Sequence, residues 1–215
     1  MTGTSVRRVA YTVVLAVAVC ARLDAADTNW PSFRGHNADG VADGYATATE
    51  WSVPDHKNIA WTAPIPGQGH SSPVVWGDRL FVTTAVSGMD DPELRVGLYG
   101  SIEPVQDDTV HRYEVHCLDK NTGVPLWTRV ALEAVPEIKR HTKATHANCT
   151  PATDGSHVVA FFGSDGLYCY TVDGDLLWEK DLGVLDSGYF VVPEAQWGFA
   201  SSPIIHDEMV IVQCD

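Results

Sequence analysis

Three stretches of the chain are versions of one another: SSPVVWGDRLFVTT from Ser71, CTPATDGSHVVAFFG from Cys149 and SSPIIHDEMVIVQCD from Ser201. Each opens on small residues and a proline, runs through a short apolar stretch, turns on polar residues and runs back. A recurring supersecondary unit constrains architecture more than any single residue does, because each copy must bury the face that its neighbour leaves bare.

The first two copies continue into matching second halves, VHRYEVHCLDKNTGVPLWTRV from Val110 and GLYCYTVDGDLLWEKDL from Gly166, so that Trp127 and Trp178 fall at the same place in their units. The second unit reads as four strands: Cys149 to Thr153, His157 to Phe162, Leu167 to Thr171 and Leu176 to Asp181. Asp154-Gly155, Ser164-Asp165-Gly166 and Asp173-Gly174 supply the hairpin turns between them. Val158, Val159, Phe161, Phe162, Tyr168 and Tyr170 suit a pleated, half-buried surface. A four-stranded antiparallel meander that repeats along a chain is the blade of a β-propeller, and the predicted fold class is all-β of that kind. The blades are expected over residues 71–131, 149–183 and, incompletely, 201–215. About two and a half blades cannot close a ring of four to eight, so the sequence is expected to be part of a longer protein.

Residues 1–25 have the layout of a secretory signal peptide: Arg7 and Arg8, an apolar run from Val9 to Ala21, and small residues near Ala25. The run is shorter than the roughly 20 residues that a spanning helix needs, so no transmembrane span is expected after its removal. Export to the periplasm or beyond follows. The formal net charge is −14, and losing Arg7, Arg8, Arg22 and Asp24 leaves the chain more acidic still. Such a surface argues against nucleic acid and against basic-patch binding to anionic lipid, both of which need Lys and Arg.

Four cysteines follow the signal: Cys117, Cys149, Cys169 and Cys214. Three disulfide connectivities are possible in principle. Cys149 and Cys169 are expected on the first and third strands of one blade, about two strand spacings of ~4.8 Å apart, too far to bridge. Cys117 and Cys169 are expected at the same position of successive third strands. Buried thiols acting as small apolar residues are the expectation.

Residues 26–57 carry no strand or helix period in their first part and are expected to dock through Trp30 and Phe33. Residues 58–65, NIAWTAPI, alternate and are expected to form an outermost strand of the propeller region 58–215, of the kind that completes the last blade. Two long excursions interrupt the blades. Val86 to Asp108 bears Asp90, Asp91, Glu93, Glu103, Asp107 and Asp108 and is expected to be a solvated acidic loop, while Glu133 to Asn148 links the first blade to the second.

The run from Cys117 to Trp127 resembles the tryptophan-docking repeat of quinoprotein propellers. Asp119 and Thr122 are placed to bind turn amides, Gly123 permits a positive φ, and Trp127 can lie on the adjoining blade. The second copy, from Cys169 through Asp173 and Gly174 to Trp178, is one residue shorter and has Thr171 in place of the Asp. The opening Asn29 to Gly35, followed by Asn37 to Gly40, is similar to the start of exported bacterial proteins with PQQ-binding-like β-propeller repeats, numerous in planctomycete-type bacteria. The resemblance implies a ring of roughly seven or eight blades. It also links the chain to two kinds of relative: alcohol dehydrogenases that bind pyrroloquinoline quinone (PQQ) with calcium, and a cofactor-free outer-membrane assembly lipoprotein that binds protein. The blade motif itself is structural and does not choose between them.

No catalytic residue can be assigned. A quinoprotein centre needs carboxylate and amide oxygens for Ca²⁺, a base and a stacking platform. Trp197, with Glu194 and Gln196 beside it, is expected to pack on a neighbouring blade instead. His70, His141 and His146 are the candidate metal ligands, since two of them lie just ahead of first strands, but no H-x-x-x-H or C-x-x-C spacing accompanies them. Ser71-Ser72 and Ser201-Ser202 recur with the repeat and are architectural, and no G-x-S-x-G elbow occurs. The expected function is an exported, non-catalytic scaffold for a protein or polysaccharide partner; the alternative is a PQQ- and calcium-dependent alcohol or sugar dehydrogenase.

Overall fold

The structure, a computed structural model, describes residues 29–44, 47–90, 92, 94, 104–189 and 192–214. The expected signal peptide, and Asp91, Glu93 and Glu103 of the acidic excursion, lie outside the described residues.

Two four-stranded antiparallel sheets follow one another. The first has the order β1 (Val74–Trp76), β2 (Arg79–Val86), β3 (His111–Asp119), β4 (Pro125–Ala134); the second has β5 (Ala152–Thr153), β6 (His157–Phe161), β7 (Leu167–Thr171), β8 (Leu176–Lys180). A short hairpin of β9 (Gly188–Tyr189) and β10 (Val192–Gln196) intervenes, and β11 (Ile204–His206) with β12 (Met209–Ile211) opens the third unit. The β9–β10 hairpin has no counterpart in the repeat and was not expected. The architecture is all-β, with one 3₁₀ turn at Gly163–Asp165 and no α-helix among the described residues. Accordingly, no helix there is long and apolar enough to cross a membrane.

The register makes the repeat visible at single residues. Cys117 stands opposite Trp127 across β3–β4, and Cys169 opposite Trp178 across β7–β8; in both sheets the register slips immediately after the cysteine. The residue directly across from each indole is thus small, which leaves room for the ring beside it.

Strand alternation then sorts the side chains into two cores. Val74, Phe81, Val115 and Cys117 of the first blade meet Val158, Ala160, Tyr168 and Tyr170 of the second, with Trp127 at the rim. The other face of the second blade, through Val159, Phe161, Leu167 and Cys169, receives Ile205, Val210 and Val212 of the third unit. Each large apolar side chain fully buried here contributes about 1.5–3 kcal/mol, so neither face of the middle blade is spare.

The first strands β1, β5 and β11 approach one another and mark the axis. Residues 29–31 run along their open edge: Trp30 N–H donates to Val75 O at 2.7 Å, Val75 N–H to Trp30 O at 2.9 Å, and Thr153 N–H to Pro31 O at 2.8 Å. Trp30 therefore docks as expected. Phe33 does not; it is 50% exposed, because Trp30 takes the contact with the inner edge and leaves Phe33 beyond it.

Residues 58–65 form no strand, which corrects that expectation. Their burial nevertheless alternates, with Ile59, Trp61, Ala63 and Ile65 part-buried and Ala60, Thr62 and Pro64 exposed. The segment is extended along the first blade, but no strand lies beside its backbone among the described residues.

Cys117, Cys149 and Cys169 are buried and outside any disulfide, whereas Cys214 is exposed, contrary to the expectation for it. Cys214 lies beyond the paired residues of β12, whereas the other three stand in or at the start of the two four-stranded sheets. Burial raises the pKa of Cys117 and Cys149 to about 12 and that of Cys169 to about 11.

Candidate functional site

The docking seats are built from the turns. Asp119 Oδ1 accepts from Asn121 N–H at 3.0 Å and from Thr122 N–H and Oγ1–H at 2.8 Å each, which closes the β3–β4 turn with Gly123 at φ +74°. These bonds to the ionised form, those of Thr122 foremost, lower the Asp119 carboxyl pKa. In the second blade Thr171 takes over, its Oγ1 accepting from Asp175 N–H at 3.0 Å, and Gly174 has φ +90°. Asp173 is left to pair with Arg79 of the first blade at 2.5 Å. The Trp127 indole N–H donates to Val172 O at 3.0 Å, and Arg129 lies over the ring at 5.7 Å while donating to Gly174 O at 2.7 Å. Trp178 packs against the core shared with the third unit.

Two further tryptophans dock in ways that sequence reasoning missed. Trp61 donates its indole N–H to Lys120 O at 2.8 Å and covers Gly123. Trp76, at the end of β1, covers Gly155 in the next blade's first hairpin so closely that a Cβ there would lie 2.2 Å from Nε1. The signal for Trp61 was available in the likeness of Ile59-Ala60-Trp61 to Leu176-Leu177-Trp178.

A second cluster binds the inter-blade linker. Asp107 is buried, not solvated: its Oδ2 accepts from Ser87 Oγ–H at 2.6 Å, its Oδ1 from Thr109 Oγ1–H at 2.6 Å, and His111 Nε2 lies 3.4 Å away. Burial alone would raise this carboxyl's pKa, but the Ser87 and Thr109 bonds, with His111, outweigh it and hold it below the ordinary value. The serine hydroxyl points at the carboxylate rather than the imidazole, so the trio lacks the nucleophile–base contact that acyl transfer needs. Next to it, His146 packs edge-on to His111 at 5.0 Å; burial first, then His111 and Arg140, depress its pKa to about 3. Across the interface, Asp165 accepts from Glu137 N–H at 3.1 Å, and burial raises its pKa. Burial, and then the adjacent Asp165 carboxylate, also push the Tyr113 phenol pKa up.

The candidate metal ligands are dispersed. His70 is exposed at the start of the first blade, His141 is buried beneath Trp197, and His146 belongs to the His111 cluster. Among the described residues no group of three His, Cys, Asp or Glu side chains converges on a metal position.

One surface with room for a ligand lies at the axis. An open hollow of about 400 Å³ is lined by His70, Asn148 and Ala200, which are equivalent positions of three successive units, by Thr150 and Ser202, and by Phe33, Lys143 and Trp197. Trp197 packs on the linker between the first two blades. It stacks on His141, with centroids 3.8 Å apart and planes at 15°, and stays 46% exposed. Among the described residues that line the hollow there is no carboxylate, the ligand type that calcium beside a quinone calls for. Glu194 and Gln196 lie on β10.

Residues 111–215 match the PQQ-type repeat family described as outer membrane protein assembly factor BamB. That span carries β3 through β12 and both Cys–Trp pairs, and it is of the β-propeller repeat type. No curated protein matches the chain in sequence.

Proposed function

We propose that the chain is an exported, non-catalytic β-propeller scaffold that holds a protein or polysaccharide partner in the periplasm or outside the cell. The observation that carries this reading is where the polar side chains are spent. Asp119 and Asp154 close turns, Asp107 and Asp165 fasten the blade linker, and His146 is kept uncharged by burial. Groups committed in this way build a rigid frame, and a rigid frame with long loops is suited to binding. The family matched by residues 111–215 is named for an assembly factor, which is in keeping with a scaffold.

The test is direct. Folded protein is titrated with PQQ and Ca²⁺, and oxidation of alcohols and sugars is followed with a dye acceptor, beside binding assays against envelope proteins and polysaccharides. Binding without dye reduction is the expected result. Quinone absorbance with turnover would establish the dehydrogenase alternative and end the scaffold reading.

A further inference from the structure

Residues 29–31 serve the inner edges of the first two units alike. Val75 N–H donates to Trp30 O at 2.9 Å and Thr153 N–H to Pro31 O at 2.8 Å, so two consecutive carbonyls meet the same position of two successive first strands. Ile205 holds that position in the third unit, paired with Val210 across β11–β12 as Val75 is with Leu80 across β1–β2. Both pairs stand one step from a two-residue turn, so both residues point their N–H and C=O away from the partner strand, toward the axis. The segment does not go on to Ile205. Ser32 O accepts from Gly35 N–H at 2.9 Å instead, which turns the chain off the axis, and the Ile205 N–H meets no backbone carbonyl among the described residues.

The bare edge opens on a hollow of about 450 Å³, walled by Pro31 and Ser32 on one side, Thr153 and Asp154 on a second, and Ile204 to His206 on the third. Packing of unit on unit does not fill it. Between the first and second units that packing buries the sheet faces and leaves the inner edges of β1 and β5 to residues 29–31. An unpaired N–H and C=O on a strand edge is a template for one more extended chain, which binds through its main chain. The edge of β11 is continuous with the contact that residues 29–31 already make, and it is the next place in that line.

Charge sets the kind of chain. The turn beyond this edge carries Asp207 and Glu208, both exposed, in a protein of formal charge −14. Asp207 lies 3.7 Å from His206, whereas Asp154 on the facing wall is spent on the Ser156 and His157 amides and on the His157 ring. We propose that an extended, basic segment of a partner protein adds to β11 at the axis, its main chain paired with Ile205 and a Lys or Arg side chain toward Asp207 and Glu208. This rests on the scaffold reading and narrows its partner to a protein.

The probe is an acetylated and amidated Lys-Val-Thr-Val-Thr-Lys peptide, titrated at low salt into the ¹⁵N-labelled full chain. The Ile205 amide signal should shift and its hydrogen exchange should slow at least about tenfold, while the Val75 and Thr153 amides, already bonded, change little. The same peptide with its central amides N-methylated should not bind, and a Glu-Val-Thr-Val-Thr-Glu counterpart should bind at least about tenfold more weakly. Asp207→Asn together with Glu208→Gln should bring the two peptides within about threefold of each other. Both substitutions fall at exposed turn positions, and thermal unfolding checks that the variant is folded. Absence of binding, an unmoved Ile205 signal, binding that survives N-methylation, or equal binding of the acidic peptide overturns the proposal. If those failures occur without PQQ-dependent turnover, the scaffold reading stands and only this edge falls; turnover removes both.

Discussion

The indole of Trp127 lies over Gly174, the residue that turns the chain between β7 and β8 of the next blade. A Cβ on that glycine would sit 2.9 Å from the ring. Trp61 stands in the same relation to Gly123, where the Cβ would sit 2.4 Å away, and donates to Lys120 O as Trp127 donates to Val172 O. Blade follows blade because the outer tryptophan of one reaches the last turn of the next. Trp61 occupies that seat without a sheet of its own among the described residues, as the outer strand of a blade preceding the first would.

Gly123→Ala and Gly174→Ala should each destabilise the fold by about 1–3 kcal/mol or more, since a side chain meets both a left-handed backbone and an indole. Urea unfolding measures this. Gly77→Ala is the control: it shares the positive φ, but nothing lies within 4 Å of its Cβ position, so it should cost the backbone strain alone.

At the same interface, the Arg79 and Asp173 variants should differ. Asp173 is 69% exposed, and its ion pair is of the kind worth at most about 1 kcal/mol, so Asp173→Asn should be nearly silent. Arg79 also donates to Val172 O, the carbonyl that Trp127 uses, so Arg79→Ala should cost more. A double-mutant cycle in urea separates the shared part.

Thiol labelling should single out Cys214. Cys117, Cys149 and Cys169 are buried with raised pKa values, so iodoacetamide at pH 8 should modify Cys214 alone among the four in the native state, and all four in urea. Peptide mapping reads the result. Rapid native labelling of Cys117 or Cys169 would mean that the blades do not cover them.

Turn chemistry was legible in the sequence because it is local: the Asp119, Thr122 and Gly123 spacing specifies its own bonds. The strands of the second blade were legible too, since period-2 alternation and Gly-containing turns coincide there. What escaped were encounters between distant segments. Asp107 sits in an acidic run that reads as solvated, yet His111 four residues on and Ser87 across the excursion enclose it. Phe33 reads as an anchor beside Trp30, since two large aromatics in a polar stretch are usually buried, but the axis leaves it open. Trp76 over Gly155 depends on which turn of the next blade comes alongside, and neither residue's neighbours encode that.

His146 makes stability pH-dependent with a definite sign. Its folded pKa of about 3 lies below the unfolded value near 6.5, so the unfolded chain binds the proton more readily between the two. Its contribution is complete above about pH 6.5 and is lost as the pH falls toward 3, at no more than about 1.4 kcal/mol per pH unit. His146→Gln should flatten that part of the urea-midpoint profile.

The most direct measurement is hydrogen exchange at the indole N–H groups in a ¹H–¹⁵N spectrum, with signals assigned by Trp→Phe variants. Docking through tryptophan predicts slow exchange at Trp61 and Trp127, whose N–H groups are bonded into the following turn, and fast exchange at Trp51, which is 68% exposed. Exchange at Trp127 as fast as at Trp51 would contradict the docking of one blade on the next.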